Sequence, residues 1–233
     1  MKFIRKLGEP SDFSCWKSLG NEDWEPSWSN LRDDRQSNLK PKTTLHQSLI
    51  DEQGYICCYC GRRIDRTISH IEHLKPRQLY PELSLDYYNL LASCPGYLEE
   101  EDIKALTEAQ APQKHCGQFK DNWYDDKLTV TPLMSDCEDY FRYTAFGEIL
   151  PTNDLEKKQA AQETIKRLGL NQHALERERR KSIEAILLDI DSLNAEELEK
   201  LIYAYEKLDE NGKFFRFCAV ILYVLRQALR QAS

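Results

Sequence analysis

The chain is 233 residues long, and 39 Asp and Glu against 32 Lys and Arg give it a formal charge of −7. With 41% hydrophobic and 30% charged residues it has the make-up of a globular protein and not of a disordered one. Its length admits one large domain or two small ones, each with a real core. No apolar run reaches the roughly 18–20 residues of a membrane span; the longest, Phe217 to Leu225, falls well short. Met1–Leu7 carries charge but no apolar stretch, so no secretory signal is expected and the cytoplasm is the expected compartment. In a reducing compartment, eight cysteines are expected as ligands, core thiols or redox groups and not as disulfides. The net acidity counts against a protein that grips nucleic acid alone, because phosphates call for a positive surface.

Residues 1–45 are polar and hold Trp16, Trp24 and Trp28, which reads as an irregular arm packed on the main body. Leu45, Leu49 and Ile50 predict a short helix from His46 to Gln53, stopped by Gly54. Tyr55 to Gly61 is β-rich and ends in a glycine turn. Ile68 to Leu74 reads as extended, and Pro76 bars a helix from running on. Tyr87 to Ala92 leads to the turn signal Cys94-Pro95-Gly96, and 97–114 reads as an inserted acidic excursion. Thr129–Leu133 and Asp139–Thr144 are expected as strands, with a turn at Phe146-Gly147-Glu148 before Ile149-Leu150-Pro151. Beyond Asn153 proline disappears, and Ala, Leu, Glu, Lys and Arg dominate with apolar residues at helical spacing. Asn194 before Ala-Glu-Glu reads as an N-cap. Lys213–Gln231 is expected as a final helix, apolar around much of its circumference, that buries itself in its own bundle or against a partner. The chain therefore divides into an arm at 1–45, a central unit at 46–152 and a helical region at 153–233.

Cys57 and Cys60 form a C-x-x-C pair at the tip of an expected hairpin, a spacing that lets two thiolates converge on one tetrahedral zinc. A thioredoxin-type redox pair has the same spacing but sits between a strand and a helix, whereas Gly61-Arg62-Arg63 leads towards another extended segment. The second half must come from Cys94, Cys116, Cys137 or His115. Cys94 lies in a turn and Cys116 precedes Gly117, so Cys57, Cys60, Cys94 and Cys116 are the expected structural Zn²⁺ ligands. Cys58 alternates to the other face and is expected in the core, and Cys15, Cys137 and Cys218 are expected as buried thiols.

Between the cysteine pairs lies Ser69-His70-Ile71-Glu72-His73-Leu74-Lys75-Pro76-Arg77. Together with Glu52-Gln53-Gly54-Tyr55-Ile56-Cys57-Cys58-Tyr59-Cys60, Asn89-Leu90-Leu91, Cys94 and His115-Cys116-Gly117-x-x-Lys120, this stretch resembles a zinc-knuckle HNH endonuclease. More narrowly it resembles the PtuB-like subfamily of Septu-type and retron-associated anti-phage defence nucleases. The core of the resemblance covers about residues 52–120, with weaker likeness at Phe141–Tyr143, Gly147–Pro151 and Arg167–Asn171. It implies an α+β fold: a zinc-stabilised ββα-metal nuclease core followed by a mainly α-helical C-terminal region. It also implies that His73 is the general base, that Glu72 binds a catalytic Mg²⁺ or Mn²⁺, and that Asn89 steadies the loop carrying the base. Those residue types suit the chemistry: a histidine near neutrality deprotonates water, and carboxylate oxygen is the ligand a hard cation wants.

One departure stands out. The motif's last His or Asn normally follows the fourth cysteine, and this chain has Gly117 there. Gln118, Asp121, Asn122 and His115 are candidate replacements, although His115 also reads as an ordinary neighbour of Cys116. His70 reads equally as a helper at the metal, a phosphate contact or a sheet residue. Arg62, Arg63, Arg66, Lys75, Arg77 and Lys120 cluster in sequence around the site and are expected on the nucleic-acid backbone.

The resemblance further implies a PtuA-like ABC/SMC-type ATPase partner and, in retrons, a reverse transcriptase with its RNA–DNA product. The substrate is expected to be DNA or a structured RNA such as tRNA. A non-catalytic zinc-ribbon adaptor is the alternative, although a pure binding ribbon has no use for a carboxylate beside a base. The acidity is unevenly spread. Residues 61–80 carry Arg62, Arg63, Arg66, Lys75 and Arg77 against Asp65 and Glu72, a local +3. Residues 97–110 carry Glu99, Glu100, Glu101, Asp102 and Glu108 against Lys104, a local −4. Such a chain is expected to bind substrate weakly alone and to rely on partners.

Overall fold

The computed structural model describes residues 1–33, 39–96, 114–190 and 192–232. Most of the acidic excursion expected at 97–114 lies outside the described residues. The described chain mixes helices with two small sheets. The helices are α1 (Ser11–Lys17), α2 (Pro41–Glu52), the single-turn α3 (Gly117–Lys120), α4 (Leu155–Arg167), α5 (His173–Ile190), α6 (Ala195–Glu206) and α7 (Cys218–Ala232). Strands β1 (His70–His73) and β2 (Leu90–Ser93) pair antiparallel, with Glu72 opposite Leu91 and His73 opposite Leu90. β3 (Phe141–Tyr143) and β4 (Ile149–Pro151) form the second antiparallel pair.

The largest core lies under β2, every residue of which is buried. Leu45, Leu49 and Ile50 of α2 pack there, and so do Met1, Ile4, Phe13, Trp16 and Leu31 from the N-terminal segment. Polar side chains lock these layers. Gln53, the residue that caps α2, is fully buried and accepts from Ala92 N–H while its amide donates to the Ile56 and Ala92 carbonyls. One side chain thereby ties the end of α2 to β2 and to the start of the cysteine loop. Lys6 reaches from the N-terminal segment to Glu52 and to the Leu90 carbonyl, with its ammonium against the Tyr87 ring. An ion pair this buried persists because hydrogen bonds satisfy both partners.

Several local expectations change. The Tyr55–Gly61 stretch is no strand; only the bridge between Ile56 and Arg63 forms, because Cys57 to Gly61 closes at once into a tight loop with the Gly61 N–H on the Cys57 carbonyl. Thr129–Leu133 is not a strand either, since its backbone groups bond Asp125, the Thr164 hydroxyl and local turns instead of a ladder. Cys137–Tyr140 is a 3₁₀ turn, so the strand expected from Asp139 begins at Phe141. Cys15 is exposed, not buried, because α1 turns Phe13 and Trp16 inward and leaves Cys15 outside. Cys58, Cys137 and Cys218 are buried as expected.

The β3–β4 turn depends on Gly147, at φ +86°, where an added Cβ would overlap the Glu176 carbonyl of α5. The buried Arg179 of α5 donates from Nε to the Gly147 carbonyl, which anchors the helical region to the second sheet. The last helix begins at Cys218 and not at Lys213. The preceding residues are spent on docking: Phe214 N–H bonds the Gly54 carbonyl and Phe217 N–H the Gly61 carbonyl beside the cysteine loop. The apolar face of α7 is covered by its own chain, with Ile221 and Leu225 packing on Leu198 and Ile190, and Val220 on Ile183. No helix among the described residues is long and apolar enough to cross a membrane.

Candidate metal centre and catalytic cavity

Cys57 and Cys60 come from the tight loop after α2, Cys94 from the end of β2, and Cys116 from the residue before α3. Their four Sγ atoms lie within 4.8 Å of one another and all four residues are buried. The Cys60 and Cys94 sulfurs are 3.8 Å apart, the edge length of a tetrahedron of thiolates around zinc with bonds of about 2.3 Å. The Cys94 backbone N–H points at Cys57 Sγ at 3.3 Å, a donor suited to a thiolate. This cluster could hold a zinc ion as a closed, purely structural site. Cys58 lies on the other face, where burial pushes its thiol well up and keeps it neutral.

Next to this centre β1, the 76–78 segment and α3 line an open cavity of about 550 Å³. His70, Glu72, His73, Arg77, Gln118, Lys120, Asp121 and Asn122 all contribute to its wall, together with Gly117 and Gln78. Glu72 is held from three sides. Tyr59, from the cysteine loop, donates its hydroxyl to Oε1 at 3.1 Å, Lys120 Nζ sits 3.1 Å from the same oxygen, and His70 Nε2 is 3.6 Å from Oε2. Burial works to raise the Glu72 carboxyl, but the His70 and Lys120 interactions outweigh it and hold the group below the ordinary carboxylate value. Glu72 is therefore an ionised, buried acceptor with one oxygen, Oε2, turned towards His70 and Gly117.

His73 is fixed as firmly. Its Nε2 lies 3.0 Å from the Ser84 carbonyl, and because a carbonyl only accepts, Nε2 carries the proton and Nδ1 is left as the basic nitrogen. Trp28 stands edge-on against the ring. Burial lowers His73 to about 4, so the imidazole is neutral at physiological pH. Asn89 clamps the loop that follows: Oδ1 accepts from Lys75 N–H at 2.7 Å, and Nδ2 donates to the Lys75 and Leu83 carbonyls at 3.0 and 3.1 Å. The Asn89 carbonyl also accepts from Leu74 N–H.

The remaining expected site residues divide. Gln118 and Asn122 reach the cavity, and Asn122 Nδ2 bonds Gln78 Oε1 across it. His115 does not reach it; it is buried against the cysteines, with Nδ1 3.1 Å from Cys116 Sγ. Of the cations expected on nucleic acid, three are engaged by other parts of the protein, although Arg63 remains exposed. Lys120 is 3% exposed and spans Glu72 and the His73 carbonyl, which removes it from solvent. Arg62 pairs with Glu178 of α5, and Arg63 donates to the carbonyls of Gly54, Tyr55 and Phe214. Arg77 lies on the cavity wall over the Trp28 ring, and Lys75 stands between Tyr80 and Tyr124 with Asp126 as its partner. Trp28, expected only as a packing residue of the arm, and Tyr59 and Gln78 join the site through contacts 13 to 45 residues distant in sequence, which nothing local to them signals.

No family model matches the chain. It is 32% identical over 151 residues to a Vibrio cholerae protein named "Retron Vc95 putative HNH endonuclease", covering 63% of this chain and 66% of that one. It is 27% identical over 207 residues to an Escherichia coli protein named "Retron Ec83 putative HNH endonuclease", covering 78% of each. The chain thus spans just under two thirds of the first relative's length and over three quarters of the second's.

Proposed function

We infer that this protein is an HNH endonuclease of retron type that hydrolyses phosphodiester bonds with the help of a divalent cation. Likeness to two proteins named as retron HNH endonucleases supports a nuclease enzyme. One observation carries the site: a buried Glu72 and a tethered His73 share one open cavity beside a four-cysteine cluster. In this reading residues 46–152 are the catalytic unit with a ββα-metal core, residues 1–45 pack on it, and 153–233 form the helical region.

His73 Nδ1 takes the proton from the attacking water, with Nε2–H held on Ser84 so that the ring cannot turn. Asn89 fixes the 74–75 backbone and with it the position of His73. Lys120 and Tyr59 hold Oε1 of Glu72, which aims Oε2 at the cation position. A cation bound there supplies positive charge for the scissile phosphate and the departing oxygen. Zinc at Cys57, Cys60, Cys94 and Cys116 closes the scaffold and takes no part in the chemistry. Arg77 and Lys75 are the cations positioned to meet the nucleic-acid backbone.

The finer proposal is a PtuB-like effector of anti-phage defence, working with a PtuA-like ATPase and, in a retron, with the reverse transcriptase and its RNA–DNA product. Charge supports dependence on partners: the chain is at −7, and three of the cations nearest the site in sequence are engaged internally. The substrate is DNA or, in second place, RNA such as tRNA. His73→Ala is expected to abolish Mn²⁺- or Mg²⁺-dependent cleavage of plasmid DNA and total RNA while leaving fold and zinc content intact. Cleavage retained by that variant removes His73 as the base. Absence of cleavage by the wild type, with Cys57→Ser unfolded and Glu72→Ala without phenotype, would instead favour the non-catalytic adaptor.

A further inference from the structure

Gly117 stands where the motif's last ligand normally sits, and the structure gives a steric reason for it. A Cβ built on Gly117 would overlap Glu72 Oε2, stand 2.9 Å from Glu72 Cδ and lie 3.1 Å from His70 Nε2. No side chain can be carried at 117 while Glu72 keeps its place. The volume that a final His or Asn would fill is occupied by the Glu72 carboxylate, and His70 faces it.

We propose that His70, and not a residue on α3, is the second protein ligand of the catalytic cation, which binds between His70 Nε2 and Glu72 Oε2 in the space over Gly117. The proposal rests on the nuclease reading of the site. His70 opens β1 two residues before Glu72, so both side chains leave the same face of the strand. The 3.6 Å between Nε2 and Oε2 is about half an ångström wider than the roughly 3.0 Å of two adjacent octahedral donors at about 2.1 Å, a gap that a small side-chain rotation closes. His70 is one-third exposed and lines the cavity, so it stays open to an ion and to a phosphate arriving with it. Two protein ligands completed by water and substrate phosphate oxygens is how small hard cations are commonly held in phosphate chemistry. Of the other candidates, Asn122, two residues beyond α3, already donates to Gln78 Oε1.

An imidazole–carboxylate pair also sets a preference. Nitrogen donors suit transition metals better than Mg²⁺, so the site takes Mn²⁺ more tightly than Mg²⁺.

The test is Mn²⁺ titration of the full-length, zinc-loaded protein, by calorimetry and by pulsed electron paramagnetic resonance. Wild type is expected to bind one Mn²⁺ and to show nitrogen modulation from an imidazole ligand. His70→Ala is expected to lose that modulation. It should also lose affinity by at least the roughly 10–100-fold that follows removal of even an outer partner of a metal ligand. His70→Asp, which restores a donor, is expected to recover most of the affinity without the nitrogen signal, which separates ligation from folding. Glu72→Gln is expected to abolish binding. If His70→Ala binds Mn²⁺ like wild type while Glu72→Gln does not, the proposal is overturned and the nuclease reading stands. If wild type binds no Mn²⁺ at this site, both fall.

Discussion

The indole of Trp28 meets the imidazole of His73 edge-on, with ring centroids 4.3 Å apart and planes at 81°. A residue of the N-terminal segment thus forms one wall of the proposed base's pocket, and the Ser84 carbonyl fixes Nε2 of the same ring. Edge-to-face aromatic contacts hold ring orientation as well as bury area. Trp28 also carries the Arg77 guanidinium above its ring, so one side chain orders a base and a cation.

Trp28→Ala is therefore expected to slow cleavage by roughly tenfold to a hundredfold, the size of effect that small misplacement of a catalytic group produces. Trp28→Phe should keep most of the rate, because it keeps an aromatic wall. The pH–rate profile separates positioning from general destabilisation. Burial is what lowers His73 to about 4, so opening the pocket should move the acid limb of the alanine variant upward, towards the ordinary 6.5. An unchanged limb together with an unchanged rate would show that Trp28 does not act on His73.

Much of the cysteine centre was legible in the sequence, because a C-x-x-C pair and two turn-associated cysteines constrain each other. Glu72, His73 and Asn89 stood out only as a set, through resemblance. Arg62, Arg63 and Lys120 show what local reading lacks. Arg62 and Arg63 sit in a basic stretch and Lys120 follows the last cysteine, yet Arg62 finds Glu178, Arg63 finds Phe214 and Lys120 finds Glu72, partners 48 to 151 residues away. Which partner a cation takes depends on that packing and not on its neighbours in sequence. Gly117 reads as a missing ligand until the carboxylate beside it is seen.

Lys120→Met tests the buried pair. Lys120 and Glu72 side chains are 2% and 9% exposed, so removing the ammonium leaves a buried carboxylate without its cation. Breaking one side of such a pair costs about 3–5 kcal/mol, read as a lower urea midpoint in chemical denaturation. Saturating Mn²⁺ is expected to restore part of the loss, since an ion at Glu72 replaces the missing charge. A variant as stable as wild type would mean that Glu72 is protonated in the fold.

Metal removal should act on the fold before it acts on chemistry. Metal analysis is expected to find about one zinc ion per chain, and Cys57→Ser or Cys116→Ser should yield insoluble or unfolded protein. A strong chelator should lower the melting temperature steeply, with zinc and not Mg²⁺ reversing it. Protein folded at full stability without bound metal would assign the four thiols to the core instead.

Stability should also depend on pH through histidines that the fold keeps neutral. Burial lowers His46 to about 4, with Arg66, His70 and Lys42 adding to the effect, and burial likewise lowers His73 to about 4. In the unfolded chain both titrate near 6.5. Above that value neither state binds these protons and their contribution to stability is fully present. As the pH falls from about 6.5 towards 4, the unfolded chain takes up protons that the native state refuses, so stability is lost across that window. Melting temperatures of the zinc-loaded protein should therefore be flat above pH 7 and decline below 6.5. His46 bonds the Ser69 hydroxyl at 2.9 Å from outside the cavity, so His46→Gln offers a replacement that does not titrate. That variant should flatten part of the decline without moving the plateau of cleavage rate near neutrality. A wild-type curve as flat at pH 5 as at pH 8 would mean that both imidazoles are charged in the native state.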